Sequence, residues 1–138
     1  MANKWYPLGL QAFAEGLVDF LTDTIKVALV AQPYTFSSSD QFVANLDAGS
    51  PATSQIVARS PAITGKSAAN GILNGNGPTL SAVSGVPVYY AVLYKDTGID
   101  ATSPLLVYYD TGTNIPLTPN GGDVTVQFDS GPNKIAAL

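Results

Sequence analysis

The triplet Asp-Thr-Gly occurs twice in this chain, at Asp96-Thr97-Gly98 and at Asp110-Thr111-Gly112. Two carboxylates presented on such loops can share one proton around a water molecule, an arrangement suited to general acid-base hydrolysis of an amide. The same three residues make good turns, since Asp bonds its own backbone and Gly accepts positive φ. Both triplets fall at adjacent hairpin ends rather than one in each of two lobes. That placement favours the turn.

The segment LYKDTGID around Asp96 looks like the motif of retroviral aspartic proteases, where a homodimer supplies one Asp per copy. Such a site needs an apolar residue where Lys95 stands, and a later apolar-apolar-Gly segment threading beneath the active loop. The last part of the chain offers neither convincingly. Composition points the same way: there is no histidine and no cysteine, and charged residues make up 12% of the chain, about half the usual share. Imidazole, thiolate and Cys-ligated zinc chemistry are therefore absent, and the chain reads as a non-enzyme that carries no cofactor. Calcium is a weaker option, with oxygen ligands from Asp96 and Asp100 or from Asp110 and Asn114, but neither loop has EF-hand spacing. The Gly-rich stretches at 74–78 and 119–122 lack the preceding strand, following helix and Lys of a phosphate loop and read as turns.

Aromatic residues offer binding rather than catalysis. Tyr89-Tyr90 and Tyr108-Tyr109 could present an aromatic platform to a sugar, against the alternative that they pack on a core and on a neighbouring subunit. Trp5-Tyr6-Pro7 is either an anchor that inserts into another chain or a staple that fixes the start of the following helix to its own domain.

The elements that position these residues follow from periodicity. Leu10, Phe13, Ala14, Leu17, Phe20 and Leu21 recur at helical spacing, which predicts an amphipathic helix over 8–21. Gly9 and Gly16 each weaken it by up to about 1 kcal/mol, so it needs tertiary support. TIKVALVA alternates as a strand with one face buried. Ser38 followed by Gln41 offers a capping box for a second short helix that docks Phe42, Val43 and Leu46 and ends near Gly49. Residues 47–79 are polar and Gly-rich, with apolar islands at Ile56-Val57, Ile63 and Ile72-Leu73. VPVYYAVLYK, LLVYYD and DVTVQFD then read as successive antiparallel strands, the first apolar on both faces as a central strand is, the last alternating cleanly at Val124, Val126 and Phe128. No internal repeat or heptad intervenes. The expectation is one mainly β domain over 1–138, an antiparallel β-sandwich or jelly-roll-like fold with an N-terminal amphipathic helix, a second short helix, and residues 1–7 as an arm.

Hydrophobic residues at 46% suffice for a core without disulfides. The net charge is −4 and the six basic residues are scattered, so no stripe could track a phosphate backbone and no nucleic-acid partner is expected. No apolar run approaches the about 20 residues that span a bilayer, and the N-terminus lacks a secretory pattern. The expectation is a soluble chain made in a cytoplasm, with no membrane partner.

NKWYP with its following Gly, DTIKVALV, LYKDTG and TPNGGDVTVQFDSGPNKI together resemble a group of small tailed-bacteriophage virion proteins. The likeness touches both ends and the late strands, while residues 47–79 are generic. It implies no catalytic residues. It implies a virion structural role on the capsid exterior, foremost a decoration or cement protein that binds the major capsid protein and acts as a homotrimer. Contacts are then expected at the arm (Trp5, Tyr6), the loop 33–60 (Tyr34, Phe36) and the turn 111–122 (Asn114, Pro119, Asn120). A neck or tail component, or a carbohydrate-binding module on the virion, are the alternatives.

Overall fold

The computed structural model describes residues 4–32, 34–47, 55–109, 116–126 and 136–137. Its centre is a five-stranded antiparallel sheet made from β1 (Lys4–Trp5), β2 (Ile25–Val30), β3 (Ile56–Arg59), β7 (Tyr90–Lys95) and β8 (Leu105–Tyr109), in the order β1-β8-β7-β2-β3. Two small sheets accompany it. One joins β4 (Ser67–Ala69), β5 (Ile72–Asn74) and β10 (Ala136–Ala137); the other pairs β6 (Thr79–Leu80) with β9 (Val124–Thr125). With one α-helix, α1 (Pro7–Ala14), this is the mainly β, sandwich-like architecture that the alternating apolar segments predict.

The central sheet is covered on both faces. On one, Ile25, Val27, Leu29, Ala91, Leu93 and Val107 pack with Ala12 of α1 and with Leu73, Leu80 and Val88. On the other, Ala28, Val30, Val92, Tyr94 and Tyr108 pack with Tyr6, Tyr34, Val43 and Leu46. Each such apolar side chain taken out of water contributes about 1.5–3 kcal/mol, which is why the two middle strands tolerate so few polar residues. The doubly apolar reading of VYYAVLYK therefore holds. TIKVALVA differs from the reading of one buried face, because the segment 34–47 closes over the second.

A bulge opposite Leu93 and Tyr94 sets the register of β8: Leu105 pairs with Tyr94 and Val107 with Leu93, leaving Leu106 as the extra residue. The bulge turns Leu106 and Val107 to one face and Leu105 and Tyr108 to the other.

The helix is shorter than its periodicity predicts. Gly16 takes a φ of 76°, its amide bonds the Phe13 carbonyl, and the Leu17 amide reaches back to the Ala12 carbonyl. This paired closure ends the helix where only glycine adopts the left-handed backbone freely. Its buried side is also different: Gly9 and Ala12 face inward, whereas Leu10 stays 39% exposed. A Cβ at Gly9 would fall inside contact distance of the Leu105 carbonyl oxygen and 3.1 Å from Leu106 Cα, so a missing side chain lets the helix lie directly on β8.

The second helix is a 3₁₀ turn over Val43–Asp47 instead of an α-helix started by Ser38. Asn45 Oδ1 accepts the amides of Gln41 and Phe42 at 3.0 and 2.9 Å, a local bond that closes the turn without the capping box. Val43 and Leu46 are fully buried as expected. The apolar islands at 56–57 and 72–73 become β3 and β5. Between β4 and β5, Asn70 and Gly71 both have positive φ, 53° and 78°, the pair of left-handed residues that a two-residue hairpin loop requires. LLVYYD does lie beside VPVYYAVLYK, but β9 leaves that sheet to pair with β6.

Candidate functional site

Asp96, the residue with the sharpest chemical promise, sits at the end of β7 as a structural carboxylate. Its Oδ1 accepts the Gly98 amide at 2.9 Å, and Gly98 takes a φ of 88°. Its Oδ2 pairs with Lys26 Nζ at 2.7 Å. The Lys26 ammonium and the Gly98 amide together hold the Asp96 carboxyl below the usual range. This is the turn chemistry that Asp-Thr-Gly offers. The second triplet, Asp110-Thr111-Gly112, lies outside the described residues.

Beside that pair, Arg59 at the end of β3 grips Asp100 with two parallel bonds of 2.7 Å. The Tyr94 ring is buried, and its hydroxyl, within the field of Arg59, has no hydrogen bond of good geometry. Asp96 and Asp100 are thus each committed to a cation. Among the described residues no group of three or more acidic, His or Cys side chains is placed to hold a metal ion. Asp110 and Asn114, the other oxygen pair considered for calcium, are outside the described residues.

The other cations among the described residues are engaged internally too. Lys95 pairs with Asp23 at 3.1 Å, Lys66 donates to the Asp23 carbonyl, and Lys4 lies 4.5 Å from the centre of the Phe36 ring. No helix among the described residues is long and apolar enough to cross a membrane.

Of the aromatic residues expected in an interface, Tyr6, Tyr34 and Phe36 pack together on one face of the central sheet and Trp5 packs against the other. Trp5 belongs to β1, paired opposite Val107, and meets the Phe13 ring edge-on at 5.6 Å. Residues 4–7 therefore join the sheet and helix rather than standing free as an arm. Tyr6 is fully buried and Tyr34 is 4% exposed. Both side chains face the chain's own core. Tyr34 donates to Asp40 Oδ2 at 2.8 Å, and since a carboxylate only accepts, the 2.7 Å bond between the two phenols is donated by Tyr6. Burial drives both phenols upward from their ordinary value.

Phe36 is half-buried, its ring 4.9 Å from Tyr6 and 5.1 Å from Tyr108. Tyr89 and Tyr90 are also half-buried, with ring centres 6.4 Å apart, while Tyr108 is enclosed. Pro119 and Asn120 line a small open cleft of about 190 Å³ together with Leu117, Thr118, Asp123 and Val124. Pro119 is half-buried and Asn120 exposed; Asn114 falls outside the described residues. The expected contact residues thus separate into Tyr6, Tyr34 and Phe36 on one face of the sheet, Trp5 against the other, and a distinct loop at 117–125.

Exposed large apolar side chains are elsewhere: Leu10, Leu17, Leu21, Val86 and Ile99. Sequence reasoning placed Leu17 and Leu21 on the buried stripe of a long helix; the signal that they turn outward was Gly16. No protein-family model matches the chain, and no match is found among curated proteins.

Proposed function

We propose that this protein is a structural component of a tailed-bacteriophage virion, a decoration protein that binds the outside of the capsid lattice as a homotrimer and stabilises it. The observation that carries the reading is how the polar groups are used. Asp96, a candidate reactive carboxylate, and Asp100, a candidate calcium ligand, are tied into ion pairs and turns, and the described basic side chains all bond or stack within the chain. What remains at the surface is largely uncharged, with large apolar residues exposed at Leu10 on α1 and at Leu17, Leu21, Val86 and Ile99 on loops. A doubly covered sheet is a stiff body, and a neutral surface suits many shallow contacts with a neighbouring protein. The resemblance of NKWYP, LYKDTG and the C-terminal segment to small virion proteins supplies the class of partner.

The test is co-sedimentation with expanded, undecorated capsids of the parent phage. Saturable binding at lattice stoichiometry with raised capsid heat resistance is expected. Binding to isolated necks or tails instead of heads would replace the capsid assignment. The half-exposed Tyr89 and Tyr90 rings favour a carbohydrate-binding alternative, tested by glycan-array binding that is lost in Tyr89→Ala.

A further inference from the structure

Four Asn-Gly dipeptides stand at 70–71, 74–75, 76–77 and 120–121, all in or near turns. Such a dipeptide can react with itself, because glycine has no Cβ to keep its amide nitrogen from the preceding carboxamide carbon. The fold treats the four differently. At Asn120 both reacting groups are occupied: the Gly121 amide donates to the Val83 carbonyl at 2.8 Å, and Asn120 Oδ1 accepts the Gly122 amide at 2.9 Å. Val83 is itself buried in the core. The Asn76 amide bonds the Thr64 carbonyl at 2.9 Å, its Nδ2 donates to Thr64 Oγ1 at 3.3 Å, and its carboxamide lies against Gly65. Asn74 is half-buried in β5, paired opposite Ser67.

Asn70 differs from all three. It is exposed at the tip of the β4–β5 hairpin, beyond the last ladder pair of Ala69 with Ile72, and space around the Gly71 Cα is open. We propose that Asn70 is the site at which this protein modifies itself, by deamidation through a cyclic imide with Gly71. The Gly71 amide gives up its proton to base and its nitrogen bonds the Asn70 carboxamide carbon. The bond from that carbon to Nδ2 breaks, and Nδ2 leaves as ammonia. Water then opens the imide at either carbonyl, leaving aspartate or isoaspartate at position 70; one water is consumed, and nothing is oxidised or reduced. The left-handed backbone of the turn, φ 53° at Asn70, holds the Gly71 nitrogen away from the carboxamide, so the turn must open first. Opening is easy here. β4 joins the hairpin through three pairs, forms the outer strand of its sheet and is exposed along its whole length, the features of a segment that opens locally without global unfolding. The other three sites must instead break bonds or pairing that tie them to the body of the fold. Modification adds a negative charge, and isoaspartate lengthens the backbone of a turn whose geometry allows two residues only.

The reaction needs no capsid and no partner, so it fails or holds separately from the virion reading. The natural protein is incubated in warm, mildly alkaline buffer, folded or unfolded in urea, and conversion at each Asn-Gly is followed by peptide mapping with isoaspartate detection. In the unfolded chain the four sites should convert at similar rates. In the folded protein Asn70 should convert first, within a few-fold of its unfolded rate, while Asn74, Asn76 and Asn120 slow by tenfold or more. Asn70→Gln, whose longer side chain closes a ring far less readily, should remove the first acidic species seen on charge-based separation. Protection of Asn70 equal to that of Asn120 overturns the proposal. So does earlier conversion at any of the other three sites, or a first acidic species that persists in Asn70→Gln.

Discussion

Lys26 Nζ and Asp96 Oδ2 stand 2.7 Å apart, joining the second residue of β2 to the turn that follows β7. The pair sets a pH dependence. Bonding to Lys26 and to the Gly98 amide lowers the Asp96 carboxyl; Arg59 lowers Asp100. At Asp23, burial pushes upward, but the Asp19 amide and Lys95 outweigh it and the carboxyl is lowered. A carboxyl depressed by folding stabilises the native state above its unfolded value of about 3.9, and that contribution disappears as pH falls through the lower folded value. On the alkaline side, Asp96 raises Lys26 and burial raises Tyr6 and Tyr34, so their contribution is complete below about pH 10 and fades as pH rises beyond. Urea midpoints should be flat near neutrality and fall on both sides; a midpoint unchanged down to pH 2 contradicts the acid limb.

Replacing Asp96 separates its structural role from a catalytic one. Asp96→Asn keeps an oxygen for the Gly98 amide but removes the ion pair, and both partners are partly solvated, so the expected loss is at most about 1 kcal/mol at neutral pH. The acid limb should become shallower. No acid-range peptidase activity is expected from the natural sequence. Activity that disappears in Asp96→Asn would establish the hydrolytic reading instead.

The Tyr6-Tyr34-Asp40 chain predicts a strong coupling. Tyr34→Phe removes the donor to Asp40 and leaves the fully buried Tyr6 hydroxyl without its acceptor. An orphaned buried hydroxyl costs about 1–3 kcal/mol, whereas removing both partners of a bond together can be nearly neutral. Tyr6→Phe combined with Tyr34→Phe should therefore be less destabilising than the two single changes added. Denaturation of all three variants measures this directly, and strict additivity would mean that the phenols are energetically independent.

Legibility in the sequence tracked how local the governing interaction is. The double-sided burial of Tyr90–Lys95 was readable because every position of that strand is apolar or aromatic up to Lys95. The turn at Asp96-Thr97-Gly98 was readable because its bonds lie within the triplet. The helix end was misplaced because Leu17 and Leu21 continue the apolar stripe, and only the left-handed Gly16 breaks it. Asn70-Gly71 carried a hairpin signal inside a stretch that looked generic. The burial of Tyr6 and Tyr34 depended on a meeting of distant segments, 34–47 over the sheet, that no spacing encodes.

Gly9 tests the close seat of α1 on β8. In an unpacked helix, Gly→Ala would gain up to about 1 kcal/mol from propensity. Here the added methyl meets backbone atoms of Leu105 and Leu106 rather than a side chain that can move aside. Gly9→Ala should therefore destabilise by about 1–3 kcal/mol, the usual range for overpacking. Gly16→Ala also destabilises, but for a different reason: space is open there and the cost is the positive φ alone. Thermal melts of the two variants check both signs, and a stabilised Gly9→Ala would show that the helix can lift from the sheet freely.

Trp5 decides between a staple and an anchor, because the two roles change different measurements. Its edge-on contact with Phe13 and its pairing opposite Val107 tie β1 to the helix and the sheet. Truncating a half-buried aromatic in such a contact costs about 2 kcal/mol. Trp5→Ala should lower the melting temperature of the free protein, while Trp5→Phe should recover most of it by restoring a ring against Phe13. Capsid binding measured below both transitions should then be similar for all three chains. An anchor behaves in the opposite way: Trp5→Ala would leave the melt unchanged and weaken particle binding tenfold or more. Measuring both quantities on the same variants separates loss of the chain's own packing from loss of a contact with another protein.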